Sequence, residues 1–518
     1  MIFDQFLGST ARGLSSLLAI TIVTCLTALL LREWRSSLRR IPGPLFARIS
    51  NFYLFTNALR GNMHVLFGQL HRKYGNIVRV GPNKVSIADP TLLPVIYGIS
   101  SNYPKSPFYD TFTSNYQGSR LDNVFATRDP AWHKNMKSAV ASTYSLSYLR
   151  QFEPLVDECC RLFIDGMLDL AGQPLDLGEW LQWYAFDVIG NITFSRTFGM
   201  LKNRADRRNV IAGLKKGNGY NTAVGQIEGM HSYLLGNARL TEYTAKVPAL
   251  AEGNPLTVLN EMGRDALKAA SLEDDKMNNS SGQDYLHFLR RVQIEKPGRL
   301  SDREVWSALM TNMFAGSDTT GIALRAIFYY LAKDRNRYDR LRDEIDQAEA
   351  SGKFSEYVTF EQGMDLSYLQ AVIKEAMRLH PAVSYPLERV VPAGGAEMCG
   401  HYLPAGTIVG MHAWVIHRNQ TIFGQDAEDF RPERWLSGDA TKVKAMDQHL
   451  MTFGGGNRTC LGKNISMLEM TKFVPQILRV FDFEWAMEQG DWTISGYWFA
   501  HQRGLMMRLV PKTIRKAQ

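Results

Sequence analysis

The sequence predicts one large domain, mainly α-helical with a smaller β part, preceded by a single N-terminal transmembrane helix. Three observations lead there. An uncharged apolar run, Gly13–Leu31, lies near the start of the chain. Apolar residues at helical spacing dominate residues 129–350. Short alternating segments punctuated by Pro and Gly stand on both sides of that region. The 518 residues are 45% apolar and 21% charged, too apolar for disorder and ordinary for a packed core. No internal repeat or low-complexity run is visible, which excludes solenoid and fibrous folds. A formal charge of +8 is modest for this length and gives no nucleic-acid signature. Five cysteines, an odd number with no CxxC, argue against a disulfide framework and a structural zinc site.

The apolar run spans about 28 Å as a helix, close to the hydrocarbon thickness of a bilayer. Arg32 and Arg35 follow it directly where a cleaved signal peptide would carry small residues. Arg39 and Arg40 add to that flank, so the positive-inside rule puts the large domain in the cytosol and residues 1–12 on the lumenal side. Residues 32–44 read as a basic segment ending in a stiff Pro42-Gly43-Pro44 hinge, and residues 45–518 as the functional domain. Within that domain Ile77–Val80 and Lys84–Ile87 alternate around Gly81-Pro82-Asn83, a β-hairpin. Ser301 and Glu304 form a capping box that starts a helix running to about Lys333, some 50 Å long. The boundaries between Leu214 and Asn279 are weakly marked by Gly and Asn clusters. Further helices cover Tyr368 to His380 and Asn464 to Phe481.

The sharpest motif is Phe453-Gly-Gly-Gly-Asn-Arg458-Thr-Cys460-Leu-Gly462. Its glycines let the backbone curl beneath a flat ligand and leave amide N–H groups free to face a thiolate. Arg458 adds a permanent cation for an acidic substituent of that ligand. A cysteine held this way suits the axial position of haem iron, where a thiolate favours O–O cleavage.

On these residues the sequence resembles the cytochrome P-450 family of haem-thiolate monooxygenases, whose cysteine loop reads F-x-x-G-x-R-x-C-x-G. The resemblance runs over nearly the whole chain and implies the cytochrome P-450 fold. It also implies haem b with iron ligated by the Cys460 thiolate. Ala315-Gly-Ser-Asp318-Thr319-Thr320 looks like the family's oxygen-binding kink, with Thr319 bonding the distal oxygen and Asp318 admitting protons. Glu375 and Arg378, one turn apart, resemble the family's structural ion pair, completed by Arg434 of Pro432-Glu-Arg434-Trp. By the same resemblance Arg389 faces a haem propionate. The family's Trp-x-x-x-Arg is absent, because Met136 follows Trp132 by four; His133 and Lys137 have the alternative spacing, with Lys as a point charge in place of the Arg fork. Segments implied to line a substrate pocket are those around Ser106–Tyr109, Leu309–Phe314, Val383–Leu387 and Tyr497–Phe499.

The resemblance further implies O2 and an apolar small molecule as substrates. Electrons would come from NADPH through a separate NADPH–cytochrome P-450 reductase, since the chain carries no flavin or nicotinamide domain of its own. Lys442, Lys444 and Lys463 are candidates to meet an acidic partner. Residence in the endoplasmic reticulum membrane follows from the same likeness. Tyr103–Tyr109 and Phe430–Leu436 look like filamentous-fungal enzymes of the pisatin-demethylase-like group, which points to secondary metabolism, terpenoid or polyketide. Two other readings stay open: a haem-thiolate isomerase or dehydratase on the same fold, and a non-enzymatic membrane haem-binding protein. Asp318 and Thr319 favour the monooxygenase over both.

Overall fold

Ser301 accepts from Glu304 N while the Glu304 carboxylate accepts from Ser301 N, and this reciprocal cap starts a helix of 32 residues, Asp302–Lys333. Its main partner is the helix Leu177–Phe194, which is buried on nearly every side and is correspondingly mostly apolar. Asp176 caps that helix through Gly178 N, and Ser195 ends it in the left-handed region at φ 51. Helices Glu153–Asp169, Ser367–Leu379 and Lys463–Val480 complete one large apolar core around the pair. The computed structural model describes residues 20–512 except 22, 25, 26, 30, 248–260, 262 and 266–283. The expected lumenal segment and most of Gly13–Leu31 lie outside the described residues. No helix among the described residues is long and apolar enough to cross a membrane.

The smaller β part has two main sheets. One runs in the order Ile77–Gly81, Lys84–Ile87, Ile408–Met411, Arg389–Val390, and the expected hairpin forms its first two strands with Ile77 opposite Ile87. Ile408–Met411 joins in parallel, Lys84 opposite Ile408, and Arg389 pairs antiparallel with Val409. A bridge from Lys105 to Arg389 extends this edge and brings two cations from distant parts of the chain side by side. The other sheet holds Phe481–Trp485, Met506–Pro511 and Pro174–Asp176.

The Pro-Gly segment is docked against the domain. Arg79 N donates to Pro42 O at 2.7 Å, and a Cβ on Gly43 would lie 2.2 Å from Arg79 O, so only glycine fits there. Leu38 and Ile41 are buried, and Glu33 pairs with the buried Arg79 guanidinium at 2.8 Å.

Candidate active site

The cysteine loop closes on itself before the helix Lys463–Val480 begins. Cys460 N donates to Phe453 O at 2.9 Å, and Gly454 and Gly456 take φ of 69 and 56, values that favour glycine. A Cβ on Gly456 would meet Tyr97 O at 2.1 Å, so this close approach also requires glycine. The Cys460 thiol is open to an interior cavity but enclosed by protein on its other sides. Burial therefore pushes its pKa up, while the amides of Gly462 and Lys463, bonded to the sulfur, pull it down. Those amides belong to the first turn of a helix, where partial positive charge favours a thiolate. The Lys463 ammonium stands 5.7 Å from the Phe453 ring centre.

To the same cavity, of about 410 Å³, the long helix presents Ala315, Gly316, Asp318 and Thr319. The helix stays α-helical throughout, so the expected kink reduces to two side-chain bonds to helix carbonyls, Ser317 Oγ to Met313 O and Thr319 Oγ1 to Ala315 O, each at 2.8 Å. Gly316 lets the Leu177–Phe194 helix come close: a Cβ there would sit 2.8 Å from Ile189 Cδ1. Asp318 is only 2% exposed and does not open directly to solvent. Gln182 Nε2 donates to its Oδ1. Burial raises its pKa to about 6, against Lys215 and Arg325, which lower it.

One edge of the cavity is cationic. Arg389 and Lys105 line it with Arg458 and His133. Arg458 Nη1 donates to Thr127 O at 3.1 Å, and Arg389 Nη1 to Glu388 O at 2.8 Å. The Lys105 ammonium sits 4.1 Å from the ring centres of both Tyr109 and Phe125 and donates to Phe125 O. Among the described residues no carboxylate forms a salt bridge with any of these three cations. Burial and mutual repulsion hold Arg458 down to about 10 and Lys105 well below its ordinary value. His133 is lowered to about 3, by burial and then by Arg458, Lys137 and Lys105, so it is neutral. Lys137 stands apart from the cavity wall: its Nζ donates to Asn457 O at 2.8 Å, behind Arg458.

On the far side of the cysteine loop, Glu375 is fully buried and fully bonded. It accepts from Arg378 Nε and Nη2, and from Arg434 Nε, each at 2.8 Å, and from Trp435 Nε1 at 2.9 Å. His417 carries this network to the loop. Its Nδ1 donates to Arg378 O at 2.9 Å and its Nε2 accepts from Met451 N at 2.7 Å, two residues before Phe453. Burial lowers the His417 pKa to about 3, which keeps the imidazole in this neutral donor–acceptor form.

The expected wall segments contribute Tyr109, Met310, Phe314, Tyr385, Leu387 and Phe499. Lys105 was not legible as a site residue, since its neighbour Arg389 is 284 positions away. The helix Val210–Val224, which brings Leu214, Asn218 and Asn221 to the cavity, runs into the weakly marked stretch from Leu214 onward.

The fold therefore sets a thiol, faced by the amides that open a helix, beside a slot whose rim holds positive charge with no salt-bridging carboxylate among the described residues. A flat, metal-centred ligand bearing carboxylates satisfies both features, which makes this the site of a haem-thiolate protein. Known sequences specify it further. The family model for cytochrome P450 matches residues 42–508, and the chain belongs to that family. It is 38% identical to a cytochrome P450 monooxygenase of Aspergillus terreus over 86% of this chain and 91% of that one. It is 37% identical to cytochrome P450 monooxygenase cicH of Emericella nidulans, over 92% and 94%. Identity to a pisatin demethylase of Fusarium vanettenii is 37%, over 94% of both chains. The protein is thus a cytochrome P450 monooxygenase with a haem-thiolate iron, acting on O2 and a small molecule with electrons from a redox partner.

Proposed function

We propose that this enzyme oxidises an apolar small molecule of fungal secondary metabolism, a terpenoid or polyketide, with NADPH electrons passed on by NADPH–cytochrome P-450 reductase. The observation that carries the reading is that Cys460 and the Ala315–Thr319 turn line one apolar cavity. Bound haem supplies the iron at which O2 is reduced and one oxygen atom is inserted into substrate, the other leaving as water. Cys460 would hold the iron through its thiolate. Arg389, Arg458 and Lys105 would meet its carboxylates, His133 donating a neutral N–H beside them and Lys137 supporting the loop. Phe453 would pack against the group. Tyr109, Phe314, Leu387 and Phe499 exclude water and position the substrate by apolar contact.

Two side chains handle protons. Thr319 Oγ1 would orient the proton delivered to oxygen, giving up its bond to Ala315 O, and Asp318 would hold the proton at its carboxyl. A pKa near 6 lets Asp318 gain and lose that proton around neutral pH. The apolar segment Gly13–Leu31 would anchor the enzyme by a single pass in the endoplasmic reticulum membrane, with residues 45–518 cytosolic. The exposed Lys463 and Lys442 suit an acidic reductase surface.

Thr319→Ala tests the reading. The variant should keep haem and substrate binding and continue to consume NADPH, while product falls and hydrogen peroxide rises. Loss of a positioned proton donor typically costs about 10²–10⁴-fold. Product formed without O2 or reductase, and indifferent to the substitution, would contradict the monooxygenase mechanism and favour isomerase chemistry.

A further inference from the structure

Behind Asp318 lies a polar pocket that oxygen chemistry at Thr319 does not use. His501, from the strand Ala500–Arg503, is 2% exposed, and its Nε2 stands 3.7 Å from Asp318 Oδ2. Asn218 fixes its tautomer. Asn218 Oδ1 accepts from Phe499 N at 3.3 Å, so Nδ2 is the end that faces His501 Nε2 at 3.2 Å. An amide N–H there requires a lone pair on Nε2 and places the imidazole hydrogen on Nδ1. His501 Nδ1 and Arg325 Nη1 are buried without a protein partner, the usual setting for ordered water.

Asn218 belongs to two environments. It lines the substrate cavity together with Phe499, and its amide occupies the only lone pair that His501 could offer to Asp318. A substrate oxygen that accepts from Asn218 Nδ2 would release that lone pair. Resting on the oxygen-activating role assigned above to Asp318, we propose that His501 is a positioning residue whose Nε2 accepts the Asp318 O–H once substrate draws Asn218 away. Asp318 then keeps its proton when the cavity is filled and gives it up more readily when the cavity is empty. While His501 accepts this hydrogen bond the proton stays on Asp318 Oδ2, and no bond between heavy atoms forms or breaks. The ligand class is an apolar molecule carrying a hydrogen-bond acceptor, a carbonyl or ether oxygen, at the end that meets the Val210–Val224 helix.

The charges facing the pair permit this. Lys215 from that helix, Arg325 from the long helix and Arg503 from the strand all oppose protonation of His501, as does His380 behind it, and burial is the largest effect. Asp206 opposes ionisation of Asp318, while Lys215 and Arg325 favour it. The imidazole therefore stays neutral and acts as an acceptor, while the carboxyl is the group that titrates.

The experiment is coupling of NADPH consumption to product as a function of pH, with the holoenzyme, its reductase and substrates with and without an acceptor oxygen. Coupling should fall as pH rises through the Asp318 ionisation, with a higher midpoint for the acceptor-bearing substrate. His501→Phe removes the lone pair and should lower that midpoint by about one pH unit, a tenfold change in proton affinity. His501→Gln returns an acceptor oxygen and should recover much of it. Asn218→Ala should give the higher midpoint with both substrates, and it carries the test if His501→Phe does not take up haem. If Asp318→Asn abolishes the pH dependence while the His501 and Asn218 variants match the wild type, the pairing is wrong and the role of Asp318 stands. If Asp318→Asn also matches the wild type, that role fails and the pairing with it.

Discussion

Two clusters of buried or half-buried arginines flank the cysteine loop, and they differ in one respect. Arg378 and Arg434 share the Glu375 carboxylate and donate further to backbone carbonyls, including Arg378 Nη1 to His417 O at 2.8 Å. Arg389 and Arg458, with Lys105, have carbonyls and aromatic faces around them but no salt-bridge carboxylate among the described residues. Buried charges that are paired hold a fold in register; buried charges left unpaired raise the energy of the empty site and lower it when an anionic ligand arrives. On this contrast we propose that the first cluster is structural and that the second would meet the cofactor's carboxylates.

The comparison breaks most visibly at Glu375. Glu375→Gln keeps the shape but strips the counter-charge from two buried guanidiniums, and breaking such a pair costs about 3–5 kcal/mol. The variant should unfold at markedly lower temperature or denaturant and yield little holoprotein, as followed by circular dichroism and haem absorbance. An unchanged unfolding midpoint would show that the network contributes no stability.

The opposite cluster predicts the opposite pattern, at smaller scale. Lys105→Met removes a repelled cation, so the haem-free chain should be as stable as the wild type or more so. Haem release to an acceptor protein should nevertheless speed up by about tenfold, the worth of one charged hydrogen bond. Lys137 lies outside the cavity wall on Asn457 O, so Lys137→Ala should change release by less than about threefold and Lys137→Arg hardly at all. Equal release rates for Lys105→Met and wild type would remove Lys105 from the cofactor's surroundings.

The same contrast explains what could be read from the sequence. The cysteine loop, the Ala315–Thr320 turn and the Glu375–Arg378 pair are each local: their residues sit within one turn or one loop, so spacing alone carries the chemistry. Lys105 joins the cationic edge only because a β-bridge sets it beside Arg389, and His501 reaches Asp318 from a strand 183 positions downstream; neither pairing leaves a local trace. The Val210–Val224 helix holds three glycines, which weaken helix propensity, and it is fixed by tertiary packing against the Phe52–Leu59 helix. The Pro-Gly segment at residues 42–44 reads locally as a hinge, but the close approach to Arg79 that docks it depends on a residue from the sheet.

Every element of this account converges on one sulfur atom, and the carbon monoxide complex of the reduced enzyme tests it directly. The thiolate of Cys460 as axial ligand predicts a Soret band shifted to the red, present in the wild type and absent from Cys460→Ala. Survival of that band in Cys460→Ala would mean that another residue holds the iron, and would contradict the assignment of the site.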